Sequence, residues 1–274
     1  MTINCKGELI DLKTPKVMGI LNVTPDSFYD GGKFKDENTA LKQIEKMMRE
    51  GASFIDIGAY SSKPGADDVT EAIELQRITP IVEIVLKNFP DVFLSIDTFR
   101  GTVAKACVER GAAMINDISA GLLDKTLLDT VAQLQVPYIM MHMRGTPKTM
   151  QQQTNYQHLI KDILLFFSQR LTVAREKGIH DVIIDPGFGF AKTLEQNYQL
   201  LQQLEALKVA DLPILAGLSR KSMIYKVLES EPKNALNGTT ALHMIALTKG
   251  ANILRVHDVR EAVECVKLFQ QLTS

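Results

Sequence analysis

Cysteine is scarce: the 274 residues hold three, Cys5, Cys107 and Cys265, an odd number with no C-x-x-C spacing. That excludes a disulfide framework and a thiolate zinc site, and a reducing compartment is the expected setting. An excess of charge is lacking too, since 31 basic against 32 acidic residues leave a formal net charge of −1. The counterion-release attraction that draws basic proteins onto nucleic acid or anionic lipid therefore has no global support, although a local basic cluster stays open. Charged residues interrupt every window long enough to span a bilayer, and the opening MTINCKGELIDLKTPK shows no basic-then-apolar signal pattern. The expectation is a cytoplasmic protein with no membrane and no nucleic-acid partner. No low-complexity tract or Gly/Ser linker divides the chain, so residues 1–274 are read as one domain.

What is present is a repeat of short apolar runs: KVMGILNV (16–23), FIDIGA (54–59), VFLSIDTF (92–99), MINDISA (114–120), VPYIMMHM (136–143), VIIDPGF (182–188), PILAGLSR (213–220) and NILRVHDV (252–259). Most are continuously hydrophobic rather than alternating, as strands covered on both faces should be. Between them lie helix-period segments. In NTALKQIEKMMREG, Leu41, Ile44, Met47 and Met48 share a face and Gly51 stands at the expected left-handed cap. DVTEAIELQRITPIVEIVLKNF opens with Asp68 three residues before Glu71, resembling a capping box, and Pro80 is expected to kink or split its helix. NYQHLIKDILLFFSQRLTVAREKG is the longest and stops at Gly178.

Eight strands spaced by roughly 34 residues, the size of a βαβ unit, predict a (β/α)₈ TIM barrel, which typically takes about 250 residues. A doubly wound open sheet is the competing architecture. The leading TINCKGELIDL predicts a short β-hairpin capping the barrel bottom.

In a barrel the reactive face is built from the C-terminal strand ends. Those positions carry Asn22, Asp56, Ser61, Ser62, Lys63, Asp97, Asn116, His142, Asp185, Ser219, Lys221, Arg255 and His257. Asp97 and Asp185 directly follow apolar runs, so their carboxylates should be partly desolvated. With Asn116 they offer acceptors suited to a flat heterocycle whose edge presents parallel N–H groups, as a 2-amino-4-oxo-pyrimidine does. Salt bridges to Lys221 or Arg255 are the plainer account of the same acids, and both can hold. Arg255 and His257, two residues apart on one strand, point to one face and with Asn22 make an anion pocket; Asn22 also suits a hydrated Mg²⁺ beside a diphosphate. Two loops stand out, NVTPDSFYDGGKFKDEN with Asp26 and Asp30 around Phe28, and GAYSSKPGADDVT; they read as lids or as ordinary turns.

The motifs NVTPDSFYDGG, GAYSSKPG, SIDTF, INDISA, MHMRGTPKTMQ, DPGFGF, GLSRKS and LRVHDV, in this order across residues 16–259, closely resemble those of the dihydropteroate synthase family. The resemblance implies a TIM-barrel homodimer, a sulfonamide target, that joins (7,8-dihydropterin-6-yl)methyl diphosphate to 4-aminobenzoate, giving 7,8-dihydropteroate and diphosphate. It implies a pterin pocket of Asp97, Asn116, Asp185 and Lys221, with Ile118 and Met140 as walls and Phe190 and Gly217 nearby. It places the diphosphate on Asn22, Lys63, Arg255 and His257, with Mg²⁺ at Asn22. Phe28, Ser62, Pro64, Phe190 and Ser222 would form the aminobenzoate slot. Asp97, Lys221, Asp30 and Lys63 would serve catalysis, although Asp30 also suits its own turn. No side-chain nucleophile is required.

One segment departs from the family pattern: S-T-R-P-G is replaced by Ser61, Ser62, Lys63, Pro64 and Gly65. Three rival readings remain at this stage: a methyltetrahydrofolate:corrinoid methyltransferase, a non-catalytic pterin-binding paralogue and a phosphate-sugar barrel enzyme. Arg255, His257 and the S-R-K segment tell against the first.

Overall fold

The computed structural model describes residues 1–23, 33–60 and 69–273. It begins with an antiparallel pair, β1 (Thr2–Cys5) and β2 (Glu8–Asp11). Their two-residue connection has φ of +54° at Lys6 and +85° at Gly7, the primed-turn geometry that matches strand twist.

Eight parallel strands follow: β3 (Lys16–Asn22), β4 (Phe54–Gly58), β5 (Leu94–Asp97), β6 (Met114–Asp117), β7 (Tyr138–Met141), β8 (Val182–Asp185), β9 (Leu215–Ala216) and β10 (Ile253–Val256). Their lateral order is β8-β7-β6-β5-β4-β3-β10-β9. The ring closes where Ile184 of β8 bridges Ile214, and the Ile184 N–H donates to the Pro213 carbonyl at 2.9 Å. Strands thus neighbour one another in cyclic chain order, which excludes the doubly wound alternative with its reversal of strand order. Each expected run contains its strand, but the strands end sooner than the apolar runs do, because the polar ends already belong to loops.

Helices cover the outside, including α1 (Lys33–Arg49), α2 (Glu71–Asn88), α3 (Gly101–Val108), α4 (Leu127–Leu134) and α5 (Leu159–Glu176). They are followed by α6 (Leu194–Gln202), α7 (Ser222–Tyr225), α8 (Leu236–Thr248) and α9 (Val259–Thr273). Gly51 and Gly178 take the left-handed φ expected of them, +99° and +84°.

α2 departs from expectation at its N-cap and is not split at Pro80. Its N-cap is Thr70, whose hydroxyl accepts from the Ile73 N–H, while Asp68 lies outside the described residues. Pro80 does not split the helix: Ile78, Ile81, Val82 and Val85 are buried on both sides of it. The apolar burial of those four side chains offsets the cost of an interior proline, about 3 kcal/mol for its lost backbone bond and ring clash together.

Period-two alternation sorts the strand residues. Outward positions such as Leu21, Ile57, Ile96, Ile115, Met140 and Ile184 pack under the helices. Inward positions at the lower level, Met18, Phe54, Met114, Ile139, Ile183, Leu215 and Ile253, fill the barrel, and the hairpin seals that layer with Ile3, Cys5 and Leu12. The upper inward level carries Asn22, Asp56, Asp97, Asn116, Asp185 and Arg255 beside glycines and Met141, so the barrel is packed below and gathers its polar groups above.

Candidate active site

Asn22, Gly58, Asp97 and Asn116 are register partners across β3, β4, β5 and β6, so four consecutive strands bring them to one rim. Gly58 is the spacer in that ring. A Cβ there would lie 3.3 Å from the Asp97 Cβ and 3.5 Å from its Oδ2. On the opposite wall Met141 of β7 registers with Asp185 of β8.

The centre of the mouth is a carboxylate–guanidinium network. Arg255 Nε donates to Asp56 Oδ2 at 2.6 Å and Nη2 donates to Asp97 Oδ2 at 2.7 Å. Asn116 Nδ2 donates to the same Asp56 Oδ2 at 3.0 Å. Sequence reasoning offered Arg255 either as an anion ligand or as a salt-bridge partner of the acids. The structure shows the second directly, and among the described residues Arg255 Nη1 has no hydrogen-bond partner.

Burial pushes the Asp97 carboxyl up to about 7, with Asp56 adding to the shift and Arg255 opposing it. Burial works against the charge on Arg255, yet Asp56 and Asp97 hold its guanidinium above its ordinary value. Asp185 is likewise raised by burial and held back by Lys221 and the Gly187 N–H, which donates to its Oδ1 at 2.7 Å. Burial brings Lys221 down to about 8, with Asp185 pulling the other way. Gly217 lies beside both groups, since a Cβ there would stand 3.8 Å from Lys221 Nζ and 3.9 Å from Asp185 Oδ2. Lys221 Nζ also donates to the Phe188 carbonyl and sits 4.8 Å from the Phe190 ring centroid, a cation–π contact.

An apolar flank completes the mouth. Ile118, Met141, Met143, Met150 and Ala191 cluster with Phe190 and Phe99 packed against them. Here the structure corrects one residue: Met140 does not line the mouth but turns outward into the core beneath the helices. Its neighbour Met141 takes the place assigned to it. Strand periodicity is the reason, because a one-residue slip sends a side chain to the opposite face.

His257 and Asn22 are both exposed at the rim. The Ser219 hydroxyl accepts from the His257 backbone N–H at 3.2 Å and stands 3.1 Å from His257 Nδ1. Ser222 begins the short α7 directly after Lys221. Arg220, by contrast, is not a mouth residue. Its guanidinium forks onto Asp258 at 2.8 and 2.7 Å and donates to the Pro232 and Lys233 carbonyls. Phe28, Asp30, Ser62, Lys63 and Pro64 lie outside the described residues.

His142 is also removed from the ligand side. It is 1% exposed and packs edge-on against Phe166 at 4.8 Å, and burial drives its imidazole down to about 2, so it is neutral. Its Nδ1 faces Lys192 Nζ at 3.1 Å, and Lys192 also donates to the Gly187 and Phe190 carbonyls at 3.0 Å each. Sequence reasoning passed over Lys192 and Asn197, which together hold loop 186–191 in shape, Asn197 by accepting from the Gly189 N–H at 2.6 Å. Gly187, at φ +72°, is required there because a Cβ would collide with the His142 carbonyl. The available signal was a lysine within a run of glycines and aromatics. The cysteines take no part: burial pushes Cys5 and Cys107 up to about 12, far from thiolate chemistry.

A closed parallel barrel whose C-terminal rim gathers carboxylates, an amide, a lysine and an apolar wall has the form of an enzyme for a small polar heterocycle. Residues 18–257 match the family of pterin binding enzymes. The chain belongs to that family. It is 43% identical over 272 residues to the dihydropteroate synthase of Haemophilus influenzae, covering 98% of each chain. It is 45% identical over 263 residues to that of Synechocystis, covering 95% of this chain and 91% of the relative. Its fold superposes with TM-score 0.93 on Yersinia pestis dihydropteroate synthase in a sulfonamide drug complex, at 42% identity, covering 100% of this chain and 99% of that one.

Proposed function

We infer that this chain is a dihydropteroate synthase, a transferase of folate synthesis that condenses (7,8-dihydropterin-6-yl)methyl diphosphate with 4-aminobenzoate. The observation that carries this reading is the rim of Asp97, Asn116, Asp185 and Lys221 in a chain aligned end to end with such enzymes. Incubating the protein with both substrates and Mg²⁺ is expected to release diphosphate and form dihydropteroate. No product would overturn the assignment.

In the mechanism we propose, the ionised carboxylates of Asp97 and Asp185 accept from the pterin N–H edge, and Lys221 donates to a ring oxygen or nitrogen. Ile118, Met141 and Phe190 cover its faces, in proximity to Gly217. An arylamine is a poor nucleophile, so departure of the diphosphate has to be stabilised in advance. Arg255 through its Nη1 edge, His257, Asn22 and Lys63 are the groups for that task. The C–O bond to diphosphate breaks, the pterin-methyl cation forms beside the Asp97 carboxylate, and the amine nitrogen attacks that carbon and loses a proton. Phe28, Ser62, Pro64, Phe190 and Ser222 are proposed to seat the aminobenzoate, and Asp30 to add negative charge near the cation. Asn22, exposed at the rim, would offer an amide oxygen to Mg²⁺, a cation that ordinarily keeps waters and takes its other ligands from substrate phosphates. Bound there, it would neutralise charge on the leaving diphosphate.

The shifted groups set a pH dependence. Asp97 accepts as a carboxylate and Lys221 donates as an ammonium. The ratio kcat/KM for the pterin substrate is therefore expected to rise through about 7 and to decline above about 8. A profile that stays flat between about pH 6 and 9 would contradict these roles. At Lys63 an ammonium replaces the family's planar fork, which exchanges bidentate phosphate geometry for a point charge. Lys63→Arg is expected to lower KM for the pterin diphosphate, and steady-state kinetics showing an equal or higher KM would count against it.

We further propose a cytoplasmic homodimer. Among the described residues no helix is long and apolar enough to cross a membrane. Light scattering at the monomer mass would remove the dimer.

A further inference from the structure

We propose that Asp56 is a positioning residue for pterin recognition, fixing which groups of Asn116 and Arg255 are turned toward the ligand. The inference rests on the functional reading above and adds a residue to it.

Asp56 stands in the middle of β4, inward-facing and 0% exposed, one level below the rim. Its Oδ2 receives two donors, Asn116 Nδ2 at 3.0 Å and Arg255 Nε at 2.6 Å. An ionised carboxylate only accepts, so Asn116 has to spend its NH₂ on Asp56. The amide oxygen is then the group of Asn116 left for the mouth. Without Asp56 nothing at this contact tells the two ends of the amide apart, and a flipped Asn116 would present donors to a ligand edge that itself donates.

The same oxygen sets Arg255. With Nε on Asp56 and Nη2 on Asp97, the guanidinium is gripped along one edge, and its Nη1, without a partner among the described residues, is the group turned to an anion. One buried carboxylate therefore sorts the polarity of the whole mouth, with acceptors at Asn116, Asp97 and Asp185 and donors at Arg255 and Lys221. That pattern selects a heterocycle with adjacent amino and ring N–H groups, carrying an anionic tail.

A second observation separates this role from fold maintenance. Asp56 Oδ1 is buried without a partner among the described residues. A half-satisfied buried carboxylate opposes folding, so its presence is explained by what it orients rather than by what it stabilises.

The test compares wild type with Asp56→Ala and the isosteric Asp56→Asn, measuring Kd for 6-hydroxymethylpterin by calorimetry, KM for each substrate, and Tm. Asp56→Ala is expected to weaken pterin binding by about 10- to 100-fold, the range of one or two displaced charge-assisted hydrogen bonds. KM for 4-aminobenzoate should change by less than about twofold, whereas Tm should fall, because Arg255 Nε and Asn116 Nδ2 lose their acceptor; the split between the two substrates, rather than Tm, carries the positioning role. Asp56→Asn retains one oxygen for both donors and is expected to recover most of the affinity. In an Asn116→Ala background the further loss from Asp56→Ala should shrink to about threefold or less, since the amide it orients is gone. Unchanged pterin affinity in both Asp56 variants, or losses that multiply in full with Asn116→Ala, would overturn the proposal. If Asp56→Ala does not fold, Asp56→Asn decides alone, and wild-type affinity is expected there only with Asn116 and Arg255 unmoved by crystallography. Failure of the wild type itself to bind pterin would remove the functional reading, and this inference with it.

Discussion

Arg255→Met is expected to reduce kcat/KM for the pterin diphosphate by about 10³-fold or more and to lower folding stability by about 3–5 kcal/mol at pH 8. The methionine keeps an apolar stem of similar reach, so the loss isolates the charged head. That head joins the fully buried Asp56 to Asp97, by bonds of 2.6 and 2.7 Å, and its removal leaves two neighbouring acids without their shared cation. The stability loss has a pH signature. Asp97 is ionised in the folded protein only above about 7. Its pair with Arg255 therefore contributes fully on the alkaline side and fades as pH falls. Urea unfolding should show a smaller difference between variant and wild type at about pH 5.5 than at about pH 8. A loss under about 1 kcal/mol, or one equal at both pH values, would show that the network is not held by this cation.

The same network explains how a chain with net charge of −1 accommodates an anionic substrate. Net charge is a sum over the surface, whereas binding depends on which charges share a mouth. Lys221 and Arg255 stand among Asp56, Asp97 and Asp185, so the local sum is near zero as well. What differs is polarity by position, and in the proposed mechanism the carboxylates serve the heterocycle and the guanidinium serves the diphosphate. Arg220 shows that basic residues within a motif are not interchangeable, for its fork is closed on Asp258.

Legibility from sequence followed the physics of each element. The eight strands were readable because a barrel buried on both faces needs continuous apolar runs, and polar residues at or just past several strand ends mark the mouth. The rim was readable from strand ends: Asn22, Asp97, Asn116 and Asp185 stand at or near the C-terminal ends of their strands, and Arg255 one residue before the end of its own. Met140 was misplaced because two adjacent methionines in YIMM give composition no means of choosing a face. Asp56 was visible as one acid inside FIDIG, but its two bonds cross 60 and 199 residues, which no local pattern encodes. Pro80 is expected to kink or split its helix, and the helix runs through it unsplit with buried residues on both sides. His142 looked like a rim residue by its place after β7, yet its alternation with Met141 sends it behind loop 186–191, against Phe166 and Lys192.

Asp97→Asn is expected to separate activity from stability in opposite directions. The amide keeps the shape but replaces one acceptor by a donor, which then faces either the pterin N–H edge or Arg255 Nη2. Loss of one charge-assisted pair together with a donor–donor contact predicts a fall of about 10²- to 10³-fold in kcat/KM for the pterin substrate. KM for 4-aminobenzoate should move little. Stability follows the sign of the shift. Burial raises the Asp97 carboxyl from 3.8 to about 7, so ionising it opposes folding even with Arg255 alongside. This group's favourable contribution is therefore complete below the unfolded value and is lost as pH climbs through about 7. An asparagine does not titrate, so the variant should lack that decline and equal or exceed wild-type stability at about pH 8, with the two curves meeting toward about pH 4. Melting temperatures across that range decide the matter. A variant that loses activity and stability together at alkaline pH would show Asp97 to be a structural anchor for Arg255 rather than a ligand group kept at the expense of the fold.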